Sequence, residues 1–266
     1  MLRSFVLVCL LISGALAVPA QYKPPAGSAK ALSGIDFSKA VAIDEAYRKT
    51  FEDCDRNGKC KTDPNNFRAF LKFQDGTVFY ESKMSLDLDG SWKACGCGIA
   101  GKSDQCRTTH LWDPKYPSDE EYFAEKDRCR FYREQAFVDA ENFPYMVIPS
   151  GSKFGGMTGL AAGDLGVVIY GDRVVPVFVA DTGPTARIGE GSAALMRGLG
   201  VDRCLERNTD GHCTKYNNSS IEEKVLFFVF PKSKIKGLQR ETALKTVSEK
   251  ALKRFDDLIR SVKKNQ

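Results

Sequence analysis

Histidine is scarce in this chain, whose 266 residues contain only His110 and His212. A hydrolase with a Ser-His-Asp or Cys-His arrangement would depend on one of these two residues, and His212 lies inside a predicted disulfide loop. A zinc site built on Cys95 and Cys97 would lack the histidine ligands that usually complete such a set. The shortage favours chemistry carried out by carboxyl groups, and we predict no metal site and no cofactor.

Long apolar runs are missing beyond the N-terminus. The chain begins with a positive Arg3, an apolar stretch at 5–12 and the small-x-small sequence Ala15-Leu16-Ala17, a combination typical of a secretory signal peptide. The apolar stretch is too short to cross a bilayer, and no later run is long enough. We therefore predict a signal peptide at 1–17 and a secreted, extracellular protein that begins near Val18.

Cysteine usage agrees with export. Of the nine cysteines, Cys9 belongs to the predicted signal peptide, and the even number that remains predicts four disulfides. The short separation of Cys204 and Cys213 favours a bond between them, while the other pairings stay open. Asn217 and Asn218 each begin a sequon for N-glycosylation, so we expect this loop to be exposed and to carry a glycan. The eight remaining cysteines are Cys54, Cys60, Cys95, Cys97, Cys106, Cys129, Cys204 and Cys213.

The formal charge of +5 is concentrated at the C-terminus. Residues 232–266 contain eleven Lys and Arg against four Asp and Glu, so the rest of the mature chain is mildly acidic. Apolar residues recur there every three or four positions, which predicts an amphipathic helix at 238–263 that packs on the protein core. We expect no nucleic-acid partner, no membrane partner and a monomer. The predicted stripe comprises Leu244, Val247, Ala251, Phe255, Leu258 or Ile259, and Val262.

We predict one domain after a flexible leader. Residues 18–34 are rich in small residues and proline, and 35–266 form a single catalytic domain whose core spans about 76–231. A helical pattern covers 35–51. The acidic turn at 53–64 begins like a calcium-binding EF-hand loop but has Pro64 where the bidentate Glu belongs, so we favour a disulfide-tied turn.

Short apolar segments between Gly- and Pro-rich turns follow from residue 142 onward. They cover 143–149, 164–170, 174–181 and 225–230, and Gly171-Asp172 reads as a tight hairpin turn. This pattern predicts a mainly β fold with flanking helices and a small barrel.

Two acids occupy a Gly- and Pro-rich stretch at 180–195. Asp181 follows the apolar strand 174–180, and Glu190 comes nine residues later. Two separately placed carboxyl groups, one protonated and one ionised, are what glycoside hydrolysis requires. Alternatively, Asp181 caps its own turn beside Gly183 and Pro184, and Glu190 only precedes a helix at 192–199.

Two further acids precede this stretch. Asp87 and Asp89 alternate with Leu86 and Leu88, so in a strand both acids share one face while both leucines point to the core. Such a pair could bind a cationic sugar or support a catalytic group, or it could be a solvated strand face.

Residues 144–200, from Pro-Tyr-Met-Val-Ile-Pro through Ala-Asp-Thr-Gly-Pro to Ile-Gly-Glu-Gly, resemble the fungal-type chitosanases of glycoside hydrolase family 75. Leu-Asp-Leu-Asp-Gly at 86–90 is similar to an Asp-rich segment of the same family, and the resemblance covers about 83–231. It implies a six-stranded double-psi β-barrel-like core, disulfide-tied here, and endo-hydrolysis of β-1,4 glucosamine linkages with inversion.

The resemblance also implies roles. Asp181 and Glu190 match the two essential carboxylates of the family, and we expect Asp181 to be the general acid and Glu190 the base that activates water. Asp87, Asp89 and Thr182 would bind the chitosan substrate, whose protonated amines need counter-charges.

Two alternatives stay open. A non-catalytic double-psi barrel of the expansin-like type would bind cell-wall polysaccharide without needing both acids. A lytic transglycosylase would use a single acid and release anhydro sugar ends.

Overall fold

A computed structural model describes residues 22–43, 69–98, 106–112, 117–185 and 187–263. The predicted signal peptide, the turn at 53–64 and its two cysteines, Cys54 and Cys60, lie outside the described residues. Within them the protein has ten strands and five α-helices. The strands are β1 (Val41–Ala42), β2 (Phe70–Lys72), β3 (Val78–Asp87), β4 (Tyr145–Pro149), β5 (Leu165–Tyr170), β6 (Arg173–Gly183), β7 (Glu190–Ser192), β8 (Cys204–Arg207), β9 (Cys213–Tyr216) and β10 (Ile221–Phe230). The helices are α1 (Asp119–Ala124), α2 (Cys129–Arg133), α3 (Ser152–Thr158), α4 (Ala193–Gly198) and α5 (Arg240–Lys263).

Six of the strands close into a barrel. Their order is β3-β10-β5-β6-β4-β7, and β7 pairs again with β3. The β6–β4 and β7–β3 pairs are parallel and the other four are antiparallel. The prediction of a mainly β, disulfide-tied fold with flanking helices and a six-stranded barrel core is confirmed.

Strand β3 closes the ring because it is long enough to have different neighbours along its length. On one side its first residues, from Val78 to Tyr80, pair with β2, and its last residues, from Ser85 to Asp87, pair with β7. On its other side β10 runs along most of the strand. Closure leaves the six strands without an unpaired edge.

The strands are apolar on both faces because both faces are covered. Along β5, Val167 and Ile169 belong to one buried cluster, whereas Val168 belongs to the other. Helix α5 covers the first cluster, where Phe255 packs with ring centroids 5.1 Å from Phe228. Such two-sided burial gives near-continuous apolar runs, which is why the segments were recognisable in the sequence.

The C-terminal helix forms where the spacing predicts it, but its buried stripe differs by one position. Ala243 is buried, whereas Leu244, a member of the predicted stripe, is 54% exposed. Val247, Ala251 and Phe255 are buried as predicted. The spacing alone could not choose between 243 and 244 because they stand four and three positions before Val247, and both spacings place a residue on the same helix face.

The described part of 18–51 packs on the barrel. Residues 22–34, part of the predicted leader, include a 3₁₀ turn at Ala26–Ser28 and a buried Leu32. In place of the predicted helix, 35–43 contain a second 3₁₀ turn, Phe37–Lys39, and then β1. The Asp36 side chain accepts a hydrogen bond from the Ser38 N–H and caps that short turn, after which the chain extends to pair with β2.

Three disulfides join described cysteines. Cys204–Cys213 is formed as predicted, between β8 and β9. Cys95–Cys106 and Cys97–Cys129 tie a separate small cluster in which Tyr122, Phe131 and Phe137 pack together. This cluster, here called the satellite core, has its own buried aromatic side chains. Among the described helices, none combines the length and apolarity needed to cross a membrane.

Candidate functional site

Val147 in β4 lies between the two predicted catalytic acids. Its Cα pairs with Asp181 in β6 on one side and with Glu190 in β7 on the other. A register shift makes this possible, because Met146 pairs with Val179 and Val147 with Asp181, leaving Ala180 as an extra residue in β6. Directly paired residues share a face of the sheet, so both acids lie on the face of Val147, about 9–10 Å apart at Cα by two strand spacings.

The carboxylate of Glu190 leans toward β6. A Cβ added to Gly183 would lie 2.6 Å from Glu190 Oε2, so only glycine leaves room for this carboxylate. Asp181 is two residues before Gly183 on the same strand, a distance of about 6–7 Å. The Glu190 carboxylate therefore lies over the strand position two residues beyond Asp181.

Glu190 is held by its own loop. Arg187 Nη1 donates to Glu190 Oε1 at 2.9 Å, and both side chains are largely buried. Gly189 adopts φ +78° and lies so close to β3 that an added Cβ would be 2.2 Å from the Lys83 carbonyl oxygen. Its own carbonyl accepts a hydrogen bond from Ser85 N at 2.8 Å. These contacts fix the loop against β3 and fix the carboxylate with it.

Asp181 is only 7% exposed and is held by Thr109. The Thr109 N–H and hydroxyl donate to the same oxygen, Asp181 Oδ1, at 2.8 and 2.7 Å. The N–H of Thr182, the predicted substrate-binding residue, donates to Thr109 Oγ1 at 3.1 Å. The hydroxyls of Thr182 and Thr109 are 2.9 Å apart.

The structure brings Asp87 and Asp89 to Asp181. Carboxylate oxygens from all three residues lie within 4.8 Å of one another. Asp87 ends β3, and its Oδ1 accepts the N–H of Asp89 at 3.0 Å, so Asp89 lies in the turn after the strand. Leu86 and Leu88 pack against buried clusters. The two acids and two leucines thus face opposite ways, as the alternation predicts.

Crowding of these carboxyl groups changes their protonation. Burial, followed by the charges of Asp181 and Glu190, raises the pKa of Asp87 to about 7. Burial, followed by the charges of Asp87 and Asp181, raises the pKa of Asp89 to about 11. The site therefore retains protons that ordinary aspartic acids lose, and a positively charged group in contact with it would be bound favourably. An ammonium group and a hard metal cation both suit such an oxygen-rich site.

Two contact residues were not identified from the sequence. Arg187 lies three positions before Glu190, so a loop or helical spacing could have indicated an ion pair. Thr109 is 72 residues from Asp181 in sequence and carries no local signal. The five predicted site residues, by contrast, all lie in this one region: Asp87, Asp89, Asp181, Thr182 and Glu190.

No protein-family model and no curated protein matches this chain. The chitosanase resemblance therefore stays a prediction that depends on the motif residues at 86–90 and 144–200.

Proposed function

We propose that this protein is a secreted endo-chitosanase that hydrolyses β-1,4 linkages between glucosamine units with inversion. The observation that carries the proposal is the placement of Asp181 and Glu190 on either side of Val147, with Asp87 and Asp89 beside Asp181. Two acids on one face can act on opposite sides of a bound sugar, and the additional acids suit a polycation.

The placement of the two acids on separate strands, with β4 between them, is compatible with inversion. An inverting glycosidase needs carboxyl groups roughly 6.5–9.5 Å apart so that water fits between its base and the sugar, whereas a retaining enzyme needs about 5–5.5 Å. Asp181 and Glu190 lie about 9–10 Å apart at Cα, two strand spacings, and the Glu190 carboxylate is directed toward β6.

In this mechanism Asp181 and Glu190 have different tasks. Asp181 donates a proton to the glycosidic oxygen as the bond to the anomeric carbon breaks. Glu190 removes a proton from the water that attacks this carbon from the opposite face. The Arg187 guanidinium donates a hydrogen bond to Glu190 Oε1 and holds this carboxylate in place.

The substrate class follows from charge. Asp87, Asp89 and Asp181 form an acidic surface too crowded for every carboxyl group to ionise. The protonated amine of a glucosamine unit would relieve that repulsion and form charge-assisted hydrogen bonds. A neutral polysaccharide would leave the repulsion in place, so the same site would bind it less tightly.

Release of reducing sugar from soluble chitosan tests the proposal, with Asp181→Asn and Glu190→Gln beside the wild type. We expect each variant to lose at least about 10²-fold in kcat, because general acid and base groups each contribute about 10²–10⁴-fold. Asp172→Asn, on the exposed β5–β6 hairpin, and Glu249→Gln, on α5, are the matched controls and should keep wild-type activity.

Three outcomes contradict the proposal. A folded wild type that binds chitosan without cleaving it would favour the binding-barrel alternative. Anhydro ends in the products, seen as the loss of one water by mass spectrometry, would favour a transglycosylase. Full activity in Glu190→Gln would exclude the two-acid mechanism.

Secretion is part of the same proposal. Three disulfides are compatible with an extracellular protein, because such bonds persist in oxidising compartments. Asn217 and Asn218 are exposed in the loop between β9 and β10, where an oligosaccharide could be attached without disturbing the core.

A further inference from the structure

Residues 106–112 cross the end of β6 next to Ala180, the residue that precedes Asp181. The His110 N–H donates to the Ala180 carbonyl oxygen at 2.8 Å. The Thr108 hydroxyl donates to the His110 carbonyl at 2.9 Å and accepts the Val138 N–H at 3.1 Å. These bonds attach the segment to the barrel without any participation of the Thr109 side chain.

The hydrogen-bonding capacity of the Thr109 hydroxyl is fully used. A threonine hydroxyl has one hydrogen to donate and two lone pairs to accept with. The Thr182 N–H must donate to Thr109 Oγ1, so this contact uses a lone pair. The hydroxyl hydrogen is then available for Asp181 Oδ1 at 2.7 Å, and the Thr182 hydroxyl, at 2.9 Å, can use the second lone pair.

Asp181 Oδ1 consequently receives two donors from one residue. Because the Thr109 N–H and hydroxyl approach the same oxygen, rotation of the carboxyl group would break both bonds. Because both donors point at Oδ1, a proton carried by this carboxyl group would be on the other oxygen, Oδ2.

We infer that Thr109 is a positioning residue for Asp181: it fixes the rotation of the carboxyl group and leaves Oδ2 as the oxygen that carries the transferable proton. The role in proton transfer rests on the proposed function, whereas the contact between Thr109 and Asp181 is independent of it. Thr109 is exposed, so this positioning contact lies at the solvent-facing side of the site.

Three substitutions test whether Thr109 positions Asp181 or only stabilises the fold. Thr109→Val removes the hydroxyl at similar volume, and we expect kcat on chitosan to fall about 10- to 100-fold while KM changes little, since a small misplacement of a reacting group has this effect. Thr109→Ser keeps the hydroxyl and should restore most of the lost kcat. Thr108→Val is the control, because it removes a buried hydroxyl of the same segment that does not touch Asp181; it should lower Tm with a smaller effect on kcat.

Crystal structures of the wild type and Thr109→Val provide a readout that needs no activity. We expect the Asp181 carboxyl group to rotate in the variant and to stay in place in Thr109→Ser. An unchanged Asp181 together with unchanged kcat would overturn the inference, as would equal losses of kcat in Thr108→Val and Thr109→Val. A wild type inactive on chitosan, combined with a rotated carboxyl group in Thr109→Val, would refute the proposed function and leave the positioning contact established.

Discussion

Asp87 lies half-buried at the end of β3, close to two other aspartic acids and to Glu190. Its raised pKa of about 7 means that the folded protein holds its proton more tightly than the unfolded chain, in which an Asp has a pKa of about 3.9. Folding is therefore opposed by ionisation of Asp87. A site that binds a cation carries this cost whenever the cation is absent.

The stability of the protein should depend on pH through Asp87. The folded state binds more protons than the unfolded state between about pH 4 and pH 7, so the contribution of Asp87 is lost as the pH rises through this interval. Asp87→Asn keeps an oxygen that can accept the Asp89 N–H and cannot ionise. We expect it to raise the free energy of unfolding at pH 7 by up to about 4 kcal/mol, since one pKa unit corresponds to about 1.4 kcal/mol, with little difference at pH 4.

Urea denaturation at the two pH values measures this effect, with Asp172→Asn as the exposed control. If Asp87→Asn were equally destabilising at pH 4 and pH 7, the side chain would be holding the turn at Asp89 by geometry and not by its protonation.

At the scale of single residues, the sequence revealed the acids but not what holds them. Asp181 and Glu190 are close in sequence, and the residues around them are unusual enough to indicate chemistry. Thr109 is a threonine in a polar segment, and its contact with Asp181 spans 72 residues. Such a contact exists only after the segment containing it has packed across β6.

Strand β6 determines the geometry of the site at the scale of an element. Its extra residue, Ala180, brings Asp181 onto the face of Val147. Its last residue, Gly183, leaves space for the Glu190 carboxylate. Bulges frequently re-aim a side chain next to an active site in this way.

Gly183→Ala tests that space. The new Cβ would lie 2.6 Å from Glu190 Oε2, so the carboxylate must move, and we expect kcat to fall about 10²-fold. The melting temperature should change by only a few degrees, because Gly183 is part-exposed at the end of the strand. Gly156→Ala in α3 is the matched control, since an added Cβ there meets no atom within 4 Å.

Equal loss of activity in the two glycine variants would show that the effect is not local to Glu190. Retention of activity in Gly183→Ala would mean that the position of the Glu190 carboxylate matters less than the proposed mechanism requires.

The elements themselves were predictable where the burial pattern was strong. The sequence showed the continuous apolar runs that became β4, β5, β6 and β10. It also showed the apolar residues at three- and four-residue steps that became α5. The three residues of β7 were not, because this strand contains only Glu-Gly-Ser and owes its extended form to pairing with β3 and β4. The helix expected from residue 35 competes with the short turn capped by Asp36, and pairing with β2 favours the extended chain after it.

At the scale of the whole molecule, the described residues include a barrel and a satellite core, and Thr109, which follows the Cys106 of the satellite core, contacts Asp181 of the barrel. The satellite core depends on two disulfides, Cys95–Cys106 and Cys97–Cys129, and Thr109 follows shortly after Cys106. The barrel clusters contain no disulfide sulfur. The two parts therefore differ in what stabilises them.

Mild reduction of the disulfides should destabilise the satellite core before the barrel. We expect amide hydrogen exchange in 117–135 to accelerate in reductant while β5, β6 and β10 stay protected. Loss of a disulfide costs about 2–4 kcal/mol of stability, and a small cluster buries too little apolar surface to tolerate that loss. Activity should fall at the same reductant concentration at which 117–135 lose protection. Simultaneous loss of protection in the barrel strands would show that the two parts unfold as one unit.

Barrel closure was predictable in kind but not in detail. Several short apolar strands separated by tight turns are typical of a barrel, and the family resemblance implies six of them. Strand β3 pairs with β2 at its start and with β7 at its end. The second pairing depends on the register between β3 and β7, which are about a hundred residues apart in sequence. Register of this kind is decided by packing on both faces and leaves no local trace in the sequence.

Because Val147 pairs with both acids, the backbone of the sheet sets how far apart they lie. The Cα distance from Asp181 to Glu190 is set by two strand spacings. Under the proposed mechanism, side chains around the site can diverge while the spacing between the two acid-bearing strands stays the same. The same proposal implies that related proteins with this barrel could accept different polysaccharides while keeping one catalytic geometry.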